Sequence, residues 1–513
     1  MNLLFGIETE YAFTPLGSSG RVLDHGKYLT RLIEVAKQKM PYLPGGSELD
    51  IYLANGSRLY LDYGGHPELS TPECTTPIEA VKYIRAGEQI LTDIAETLRD
   101  GDADLGEIVL AKCNVDYVNL GSTWGCHESY LYRRESPELA NQLIPHLVSR
   151  ILFTGAGGLN TRSPGIEFSL SPRVDHIEHD VSDDSTRRRG IFHTKDEPLC
   201  GGGYHRLHII CGESLCSQVA DYLRVGTTAL IVALIDAGRR PASSVHLRSP
   251  VSAMHRFAAD VDCTASVDLV SGAKVTAIGI QRRYLEAVEA NLGAPFMPPW
   301  AAEVCRLWRD TLDGLESRSA SLETVLDWPI KRSLFKEHAR RRGFAWESLP
   351  VWAEVLAVYF DRWKDRDLRP EPVDGHLLRF LLDHAQSFSK EKDHLARALG
   401  NHDLSLDDLE AYFALRAELA EIDIRFGMLG PTGIFTALDR QGVLNHRLLD
   451  ADDIETAVEV PPDRSRARLR GKYIKQFTGK KTKYRCSWDC IMSARGKRKF
   501  DLSDPFRWDD ERH

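Results

Sequence analysis

Strand patterns fill the first half of this chain and helical patterns fill the second half, and this division constrains its fold more than any other feature. Residues 3–14 are rich in strand formers and alternate loosely between polar and apolar positions. Residues 51–63 read IYLANGSRLYLDY and predict a hairpin that turns at Asn55-Gly56. Further strands are expected at 108–116, 127–133, 166–171, 174–179 and 205–211, and helices at 24–39, 77–99, 137–154, 215–237 and through most of the chain beyond Ala277.

Composition changes near Gly442, where a Pro pair and then a basic run follow the long helical region. We therefore predict a large domain over residues 1–440, with its helical portion at about 277–440, and a small C-terminal domain over residues 441–513. The length of 513 residues gives a soft expectation of roughly three domains.

The bulk composition is that of a soluble globular protein, with 42% apolar and 27% charged residues. The formal net charge of −9 argues against general binding to polyanions. We found neither a signal-peptide pattern nor an apolar run of about 18 residues, so a cytoplasmic location without membrane insertion is expected. The ten cysteines form no CxxC pair and are expected to be reduced, mostly buried thiols.

Paired carboxylates mark the first strand, in the sequence GIETE. Glu8 and Glu10 lie two residues apart and would share one face of a strand. Two like charges this close need a cation between them, and Mg²⁺ prefers such oxygen ligands. A polar, solvent-facing side of an edge strand is the alternative.

The second acidic motif, RLYLDYGGHPE, follows the predicted turn at Asn55-Gly56. Tyr60 and Asp62 share a strand face, and the Gly-Gly turn lets Glu68 approach the same region. A carboxylate, a phenol and a second carboxylate suit metal binding with a general base. A polar turn after a strand is the competing interpretation.

Two later strand motifs add nitrogen donors. His127 in GCHESY is a candidate metal ligand, although a lone strand histidine is more often structural. Arg206 and His208 in YHRLH share a strand face, and an arginine beside a metal-binding histidine suits a phosphate in transfer. No P-loop and no GxGxxG after a strand is present, so any ATP is held in another way.

Residues 464–485 hold ten basic residues and no acidic ones, with aromatic residues between them. Nucleic-acid binding is one hypothesis for this run. The acidic chain as a whole disfavours it, and an anionic nucleotide or an acidic protein substrate explains the run equally well.

These motifs together resemble one family. In order they are GIETEYAF, NGSRLYLDYGGHPE with PEC, GCHESYL, PRVDHIEHD, RGIFHTKDEP, YHRLHIICGE, LRVGTTALIVALID, LDWPIK, PPDRSRARLRG and CSWDCIM. The order is similar to that of the Pup ligase and Pup deamidase (depupylase) enzymes, carboxylate-amine ligases related to glutamine synthetase. The resemblance is dense over residues 5–237 and 440–495.

The resemblance implies an α+β fold, in which a curved, mainly antiparallel sheet with flanking helices carries the active site and a small C-terminal domain packs nearby. It implies ATP and Mg²⁺ as cofactors. The implied reaction phosphorylates the side-chain carboxylate of the C-terminal Glu of a small, Pup-like protein modifier and joins that carboxylate to substrate lysines.

Site residues follow from the same resemblance. It implies Asp62 as the base, Arg206 on the transferring phosphate, Tyr60 beside the metal ligands, and Arg466 and Arg470 near the nucleotide or supporting its pocket. The implied metal ligands are Glu8, Glu10, Glu68, His127 and His208.

The two branches of the family differ in one insertion. The deamidase branch typically carries a long insertion between the first helix and the NGxRxYxD strand, and residues 40–49 leave no room for it, which favours the ligase. Two departures leave a divergent member open. The DEP motif follows His193-Thr194-Lys195 rather than Asn-Thr-Arg, and the helical sequence over 351–406 does not align with the family. A deamidase, a nucleic-acid-binding protein and a ligase for a small amino acid stay as alternatives.

Overall fold

The computed structural model describes residues 3–118, 121–134, 136, 138–163, 165–361, 389–493, 496 and 498–510. Part of the segment at 351–406 therefore lies outside the described residues. The strands are β1 Phe5–Glu10, β2 Ala12–Gly17, β3 Tyr42–Pro44, β4 Asp50–Leu53, β5 Arg58–Leu61, β6 Pro67–Ser70, β7 Leu105–Ala111, β8 Cys126–Tyr132, β9 Gly158–Leu159, β10 Phe168–Ser169, β11 His179–Ser182, β12 Gly190–His193, β13 His205–Ile209, β14 Ser266–Asp268, β15 Lys274–Thr276, β16 Tyr484–Cys486, β17 Cys490–Ser493 and β18 Lys499–Asp501.

The α-helices lie mostly in the second half of the chain. They are α1 His25–Lys39, α2 Pro77–Asp100, α3 Leu139–Ser149, α4 Ile151–Thr154, α5 Gln218–Asp236, α6 Pro250–Ala258, α7 Ala277–Glu289, α8 Ala301–Glu316, α9 Asp327–Arg341, α10 Leu349–Asp361, α11 Ser389–Gly400, α12 Leu409–Phe426, α13 Ile434–Arg440, α14 Ala451–Glu459 and α15 Arg466–Phe477.

Among the described residues, nine strands form the main sheet in the order β11-β12-β13-β8-β1-β6-β5-β4-β3. Only the outer pair β11–β12 is parallel. In β1, Phe5, Ile7 and Thr9 are buried and alternate with half-buried Glu8 and Glu10. The apolar face packs on a core that includes α2 and α5, and the polar face carries the carboxylates. The predicted α+β class with a mainly antiparallel sheet and flanking helices is confirmed.

The predicted hairpin forms between β4 and β5, with Ile51 opposite Leu59. Gly56 has a φ of +89°, and a Cβ there would lie 3.0 Å from both Ala467 and Pro72. The turn therefore needs glycine at this position for two reasons, its backbone conformation and its close approach to α15.

Sequence-predicted helix starts are confirmed by their caps. The Asp24 side chain accepts the backbone N–H of Lys27 at 2.6 Å, and Thr76 caps α2 with Pro77 at its first position. In the part of the chain that the structure describes, α5 alone is long and apolar enough to cross a membrane, and its apolar window is entirely buried within the protein.

Three local expectations need correction. The strand expected at 3–14 is divided at Tyr11, so that β1 joins the main sheet and β2 pairs with β7. The helix expected at 137–154 is interrupted at Arg150. The strand expected at 174–179 is wrong, because Pro172–His176 forms a 3-10 helix in which Glu213 accepts the backbone N–H of Arg173.

The C-terminal segment, meaning the described residues after Arg440, packs closely on the main sheet and on α2. The ammonium of Lys82 on α2 lies 2.7 Å from the Asp453 carboxylate on α14. Leu469 and Ile474 of α15 share a buried cluster with Leu43 and Tyr52. The domain boundary at residue 441 stays a prediction. All ten cysteines are free thiols, and nine of them are buried.

Candidate active site

Two rows of side chains cross the polar face of the main sheet. In one row the strand register sets Tyr60 opposite Glu68 and Glu68 opposite Glu10. In the other it sets Glu8 opposite His127. Alternation along each strand points these residues to one side, so carboxylates from two strands meet a histidine from a third.

The ligand atoms of these residues form two overlapping groups. Glu8, His127 and His208 can each offer an atom within 4.8 Å of the others, and Glu10, Glu68 and His127 can do the same. Glu10 is oriented by the backbone N–H of Gly125, which donates to its Oε2 at 2.5 Å. His127 belongs to both groups, so the five predicted metal ligands lie in one cluster.

Arg206 provides positive charge at the Glu8 end of this cluster. Its Nη2 donates to Oε1 of Glu8 at 3.2 Å, and its Nε donates to the Ser129 hydroxyl at 3.0 Å. The backbone N–H of Arg206 donates to the Asp196 carboxylate at 2.8 Å. The guanidinium is thus fixed beside the predicted metal ligands, and a guanidinium is a group suited to binding phosphate oxygens.

Glu8 and Glu68 have pKa values shifted in opposite directions within the cluster. Burial opposes the ionisation of Glu8, but His127, whose Nδ1 lies 3.7 Å from Oε2, and the charge of Arg206 outweigh burial and hold the pKa of Glu8 well below its usual range. Burial, with the charges of Glu8 and Glu10, raises the pKa of Glu68 to about 8. Glu68 is thus mostly protonated at neutral pH, and a cation bound among these carboxylates would let it ionise.

The donor set fits a divalent cation. Carboxylate oxygens are the ligands that Mg²⁺ prefers, and neutral imidazole nitrogen can complete such a set. Both ring nitrogens of His208 are buried and make no hydrogen bond among the described residues, and its Nε2 lies 3.7 Å from Oε2 of Glu8. A cation at this point would bind an orphaned nitrogen of His208 and the ionised carboxylate of Glu8 together.

Asp62 lies just beyond β5, in the turn that leads to Glu68. Its Oδ1 accepts the backbone N–H of His66 at 2.6 Å, and its Oδ2 lies 3.3 Å from Nδ1 of the same residue. Burial opposes ionisation, but these hydrogen bonds outweigh it and lower the pKa of Asp62. The side chain is an ionised carboxylate near neutral pH, which is the state that a general base requires.

Tyr60 lies between Asp62 and the metal cluster. The guanidinium carbon of Arg58 is 4.0 Å from the centroid of its ring. Burial, together with the charges of Glu8 and Glu68, raises the pKa of the Tyr60 hydroxyl well above its ordinary value. The phenol is therefore neutral and can act as a hydrogen-bond donor in the site.

Arg466 and Arg470 contact a carboxylate that the sequence analysis did not single out. Nε of Arg466 donates to Oε1 of Glu73 at 2.6 Å, and Arg470 makes two hydrogen bonds to the same carboxylate. Arg470 is fully buried and also donates to the carbonyl of Gly56 at 3.0 Å. These contacts favour support of the pocket, and the nucleotide-contacting role stays a prediction.

A cavity opens beside Glu8 and Arg206, between the main sheet and the C-terminal segment. Apolar atoms dominate its lining, and Arg466 and Trp488 contribute to the wall. The Trp488 ring is held from behind, since the Arg470 guanidinium lies 4.7 Å from its centroid and Tyr52 contacts it edge-on at 5.4 Å. A polar, cation-binding end and an apolar end match a nucleotide, with phosphates at the first and a base at the second.

Comparison with known proteins identifies the family of this chain. The sequence profile of a family described as Pup-ligase protein matches residues 3–371 and 395–492. The chain belongs to the Pup-ligase family. The unmatched residues 372–394 fall inside the 351–406 segment, whose other residues do match the family.

Individual members of this family are similar over nearly the whole chain. A Pup–protein ligase of Rhodococcus erythropolis and one of Paenarthrobacter aurescens are each 31% identical, over 99% of this chain and 97% of their own length. A crystal structure of Pup with its ligase PafA matches with a TM-score of 0.74 and 26% identity, covering 99% of this chain and 90% of that one. A structure of PafA with ADP matches with a TM-score of 0.69 and 26% identity, covering 95% and 92%.

Sequence reasoning missed three residues that organise the site. His66 and Glu73 both lie in quoted motifs, HPE and PEC, but the residues they contact were not apparent from those motifs. Trp488 lies in the CSWDCIM motif, and the structure places it both in the packing of the C-terminal segment and in the cavity wall. Strand pairing and the fold of the C-terminal segment bring these residues to the site.

Proposed function

We propose that this protein is an ATP- and Mg²⁺-dependent ligase that joins a Pup-like modifier to lysine side chains of other proteins. The observation that carries the proposal is the joint presence of a carboxylate–histidine cluster with the spacing of a metal site, a fixed arginine and an ionised aspartate on one sheet face of a Pup-ligase family member. The family's nucleotide-binding capacity is supported by the PafA structure that contains ADP.

Glu8, Glu10, Glu68, His127 and His208 would hold the magnesium. Bound there, magnesium supplies positive charge that orients and neutralises the phosphates of ATP. The residues of the chain do the rest. Arg206 contacts the phosphoryl group in transfer, and the apolar cavity with Trp488 accommodates the base and excludes water around it.

The reaction that fits has two group transfers. First, an oxygen of the modifier's terminal Glu side chain attacks the γ-phosphorus of ATP, releasing ADP and forming an acyl phosphate. Second, Asp62 removes a proton from a lysine ammonium, whose ordinary pKa of about 10.4 keeps it protonated at neutral pH. The amine then attacks the acyl carbon, an isopeptide bond forms, and phosphate leaves.

The partners proposed are a small protein modifier that ends in Glu and lysine-bearing protein substrates. A similar protein supports this choice, since a crystal structure shows Pup in complex with its ligase PafA. The ligase branch is further supported at residues 40–49, where β3 is the only strand or helix and no long insertion is present. We also propose a cytoplasmic location and a C-terminal domain that begins near residue 441.

Nucleic acid is not favoured as a partner. Two arginines of the basic run, Arg466 and Arg470, are buried against Glu73, and Lys472 is paired with Asp510. The run is therefore divided between a buried ion cluster and the surface. Continuous exposed positive charge, which nucleic-acid binding needs, is reduced accordingly.

The test is conjugation by the purified protein with ATP, Mg²⁺, a Pup-like polypeptide ending in Gly-Gly-Glu and a lysine-bearing acceptor. Mass spectrometry should detect an isopeptide bond between the modifier's terminal Glu and lysine. Asp62→Asn should lower the rate by about 10²–10⁴-fold and leave ATP affinity within about twofold. Asp310→Asn, on an exposed helix surface, is the matched control and should conjugate normally.

Other products would identify the alternatives. Cleavage of a purified conjugate without net ATP turnover would indicate a deamidase or depupylase. Joining of free glutamate to an amine without any modifier would indicate a small-molecule ligase. Normal conjugation by Asp62→Asn would show that the base is a different residue.

A further inference from the structure

The turn after β5 is built around a direct contact between Asp62 and His66. His66 approaches the carboxylate twice, with its backbone N–H on Oδ1 at 2.6 Å and with its ring Nδ1 3.3 Å from Oδ2. The turn is closed in addition by the N–H of Asp62 on the carbonyl of His66 at 3.1 Å. Both oxygens of the carboxylate are therefore engaged by one residue four positions along the chain.

The two glycines between these residues are needed for the contact. A Cβ at Gly64 would lie 2.8 Å from Nδ1 of His66 and 3.0 Å from Oδ2 of Asp62. Gly65 has a φ of +81°, which side-chain-bearing residues rarely adopt. The Gly-Gly pair thus brings the imidazole onto the carboxylate, where bulkier residues would push the two apart.

The imidazole is held on its other side by Trp124. The two rings lie 4.9 Å apart between centroids and are inclined by 32°, and Trp124 is buried. Trp124 is followed by Gly125, whose N–H fixes Glu10. One short segment therefore supports both the His66 ring and a predicted metal ligand.

We propose that His66 is a positioning residue for Asp62: it fixes the carboxylate in the orientation that accepts the proton of the incoming lysine. This inference rests on the proposed function. His66 acts through Asp62 and contributes to the second transfer only. The first transfer, from ATP to the modifier carboxylate, does not use Asp62 and should proceed without the contact.

The two transfers can be separated by the choice of nucleophile. Hydroxylamine is uncharged near neutral pH and traps an acyl phosphate as a hydroxamate without needing a base. Lysine needs its proton removed first. A variant that misplaces Asp62 should therefore lose conjugation to lysine and keep the formation of hydroxamate and of ADP.

The experiment compares His66→Leu with His66→Asn in the full-length protein. Leucine removes the ring N–H, whereas the asparagine amide can reach the position of Nδ1. For His66→Leu we expect kcat for lysine conjugation to fall about 10- to 100-fold, with the KM for the modifier and the rate of hydroxamate formation within about twofold. His66→Asn should recover most of the lysine rate.

His338→Asn is the matched control, because His338 also pairs with a carboxylate, that of Glu418 at 2.7 Å, in the helical region. It should react normally with both nucleophiles. Equal loss of both products in His66→Leu and His66→Asn, or no loss in either, would overturn the positioning role. If His66→Leu does not fold, His66→Gln replaces it. The glutamine amide reaches the position of Nε2 rather than Nδ1, so we expect the same loss of lysine conjugation with hydroxamate formation retained.

The behaviour of the wild-type protein shows whether a negative result rejects the positioning role of His66 or the proposed ligase activity. Wild type that forms hydroxamate and conjugate, with His66 variants that behave like it, would reject the positioning role alone. Wild type that forms neither product and no ADP would reject the ligase itself, and the role of His66 with it.

Discussion

Two buried glutamates a few residues apart, Glu68 and Glu73, have opposite electrostatic environments. Glu68 faces Glu10 and Tyr60 across the sheet, and its pKa is raised to about 8 by burial and by the neighbouring charges of Glu8 and Glu10. Glu73 is also buried, yet Arg470 and Arg466 overcome the effect of burial and lower its pKa to about 2.

The difference shows how a buried carboxylate can be assigned to structure or to function. Both oxygens of Glu73 accept hydrogen bonds from guanidinium groups of the same chain, so its negative charge is balanced without any ligand. Glu68 lacks such a cation, so it stays mostly protonated at neutral pH unless a positive group binds beside it. Burial alone cannot tell these cases apart, but the identity of the neighbours does.

The largest expected effect is the loss of stability when Glu73 is replaced. Glu73→Leu leaves Arg466 and Arg470 buried without their carboxylate and should lower the free energy of unfolding by about 3–5 kcal/mol. Chemical denaturation measures it. Asp453→Asn removes the more exposed ion pair with Lys82 and should cost less than about 1 kcal/mol. Similar losses in the two variants would mean that Glu73 is not a structural clamp.

The pH dependence of stability should also report on Glu73. Because its folded-state pKa is depressed to about 2, its contribution is full above its ordinary pKa near 4.5 and is lost as the pH falls through the folded value. The stability difference between wild type and Glu73→Gln should shrink by up to about 3 kcal/mol between pH 5 and pH 2. A difference that stays constant over that range would refute the assignment.

Divalent cations that bind at Glu68 should stabilise the folded protein. Mg²⁺ at about 100 times its dissociation constant should raise the free energy of unfolding of wild type by about 2.7 kcal/mol. Glu68→Gln should lose most of that gain, because it removes a ligand. Thermal unfolding with MgCl2, against NaCl at equal ionic strength, checks the effect. Equal stabilisation of both proteins would place the cation elsewhere.

The smallest effect has the opposite sign to most substitutions. In the absence of divalent cations, Glu68→Gln should stabilise the protein by about 1 kcal/mol at pH 9, because it removes a buried charge beside Glu8 and Glu10. The raised pKa of about 8 means that this penalty grows as the pH rises from about 4.5 through 8, so the gain should be smaller at pH 5. If Glu68→Gln is instead less stable than wild type at pH 9, positive groups of the protein already balance the charge of Glu68.

Local sequence patterns predicted much of this site, and its long-range contacts escaped them. The spacing of Glu8 and Glu10 placed them on one strand face, which the burial pattern of β1 confirms. Their neighbours depend on which strands pair, and the register of Glu10 with Glu68 is a tertiary result. The partners of Glu73 lie almost four hundred residues away, so no local pattern could identify its role.

The fold was predictable to a similar degree. Caps at Asp24 and Thr76 and the turn at Asn55-Gly56 are local signals, and each predicted its element. The 3-10 helix at Pro172–His176 was missed because its backbone is held by Glu213, which is distant in sequence. The errors therefore fall where long-range hydrogen bonds override local preference.

Calorimetric titration of ATP into wild type and Glu68→Gln, each with and without Mg²⁺, tests the central claim most directly. The account predicts that Mg²⁺ raises the affinity of wild type for ATP at least about tenfold, about 1.4 kcal/mol, and that most of this increase is absent from Glu68→Gln. Equal ATP affinity of wild type with and without Mg²⁺, or an unchanged increase in Glu68→Gln, would contradict a cation-held nucleotide at this carboxylate cluster.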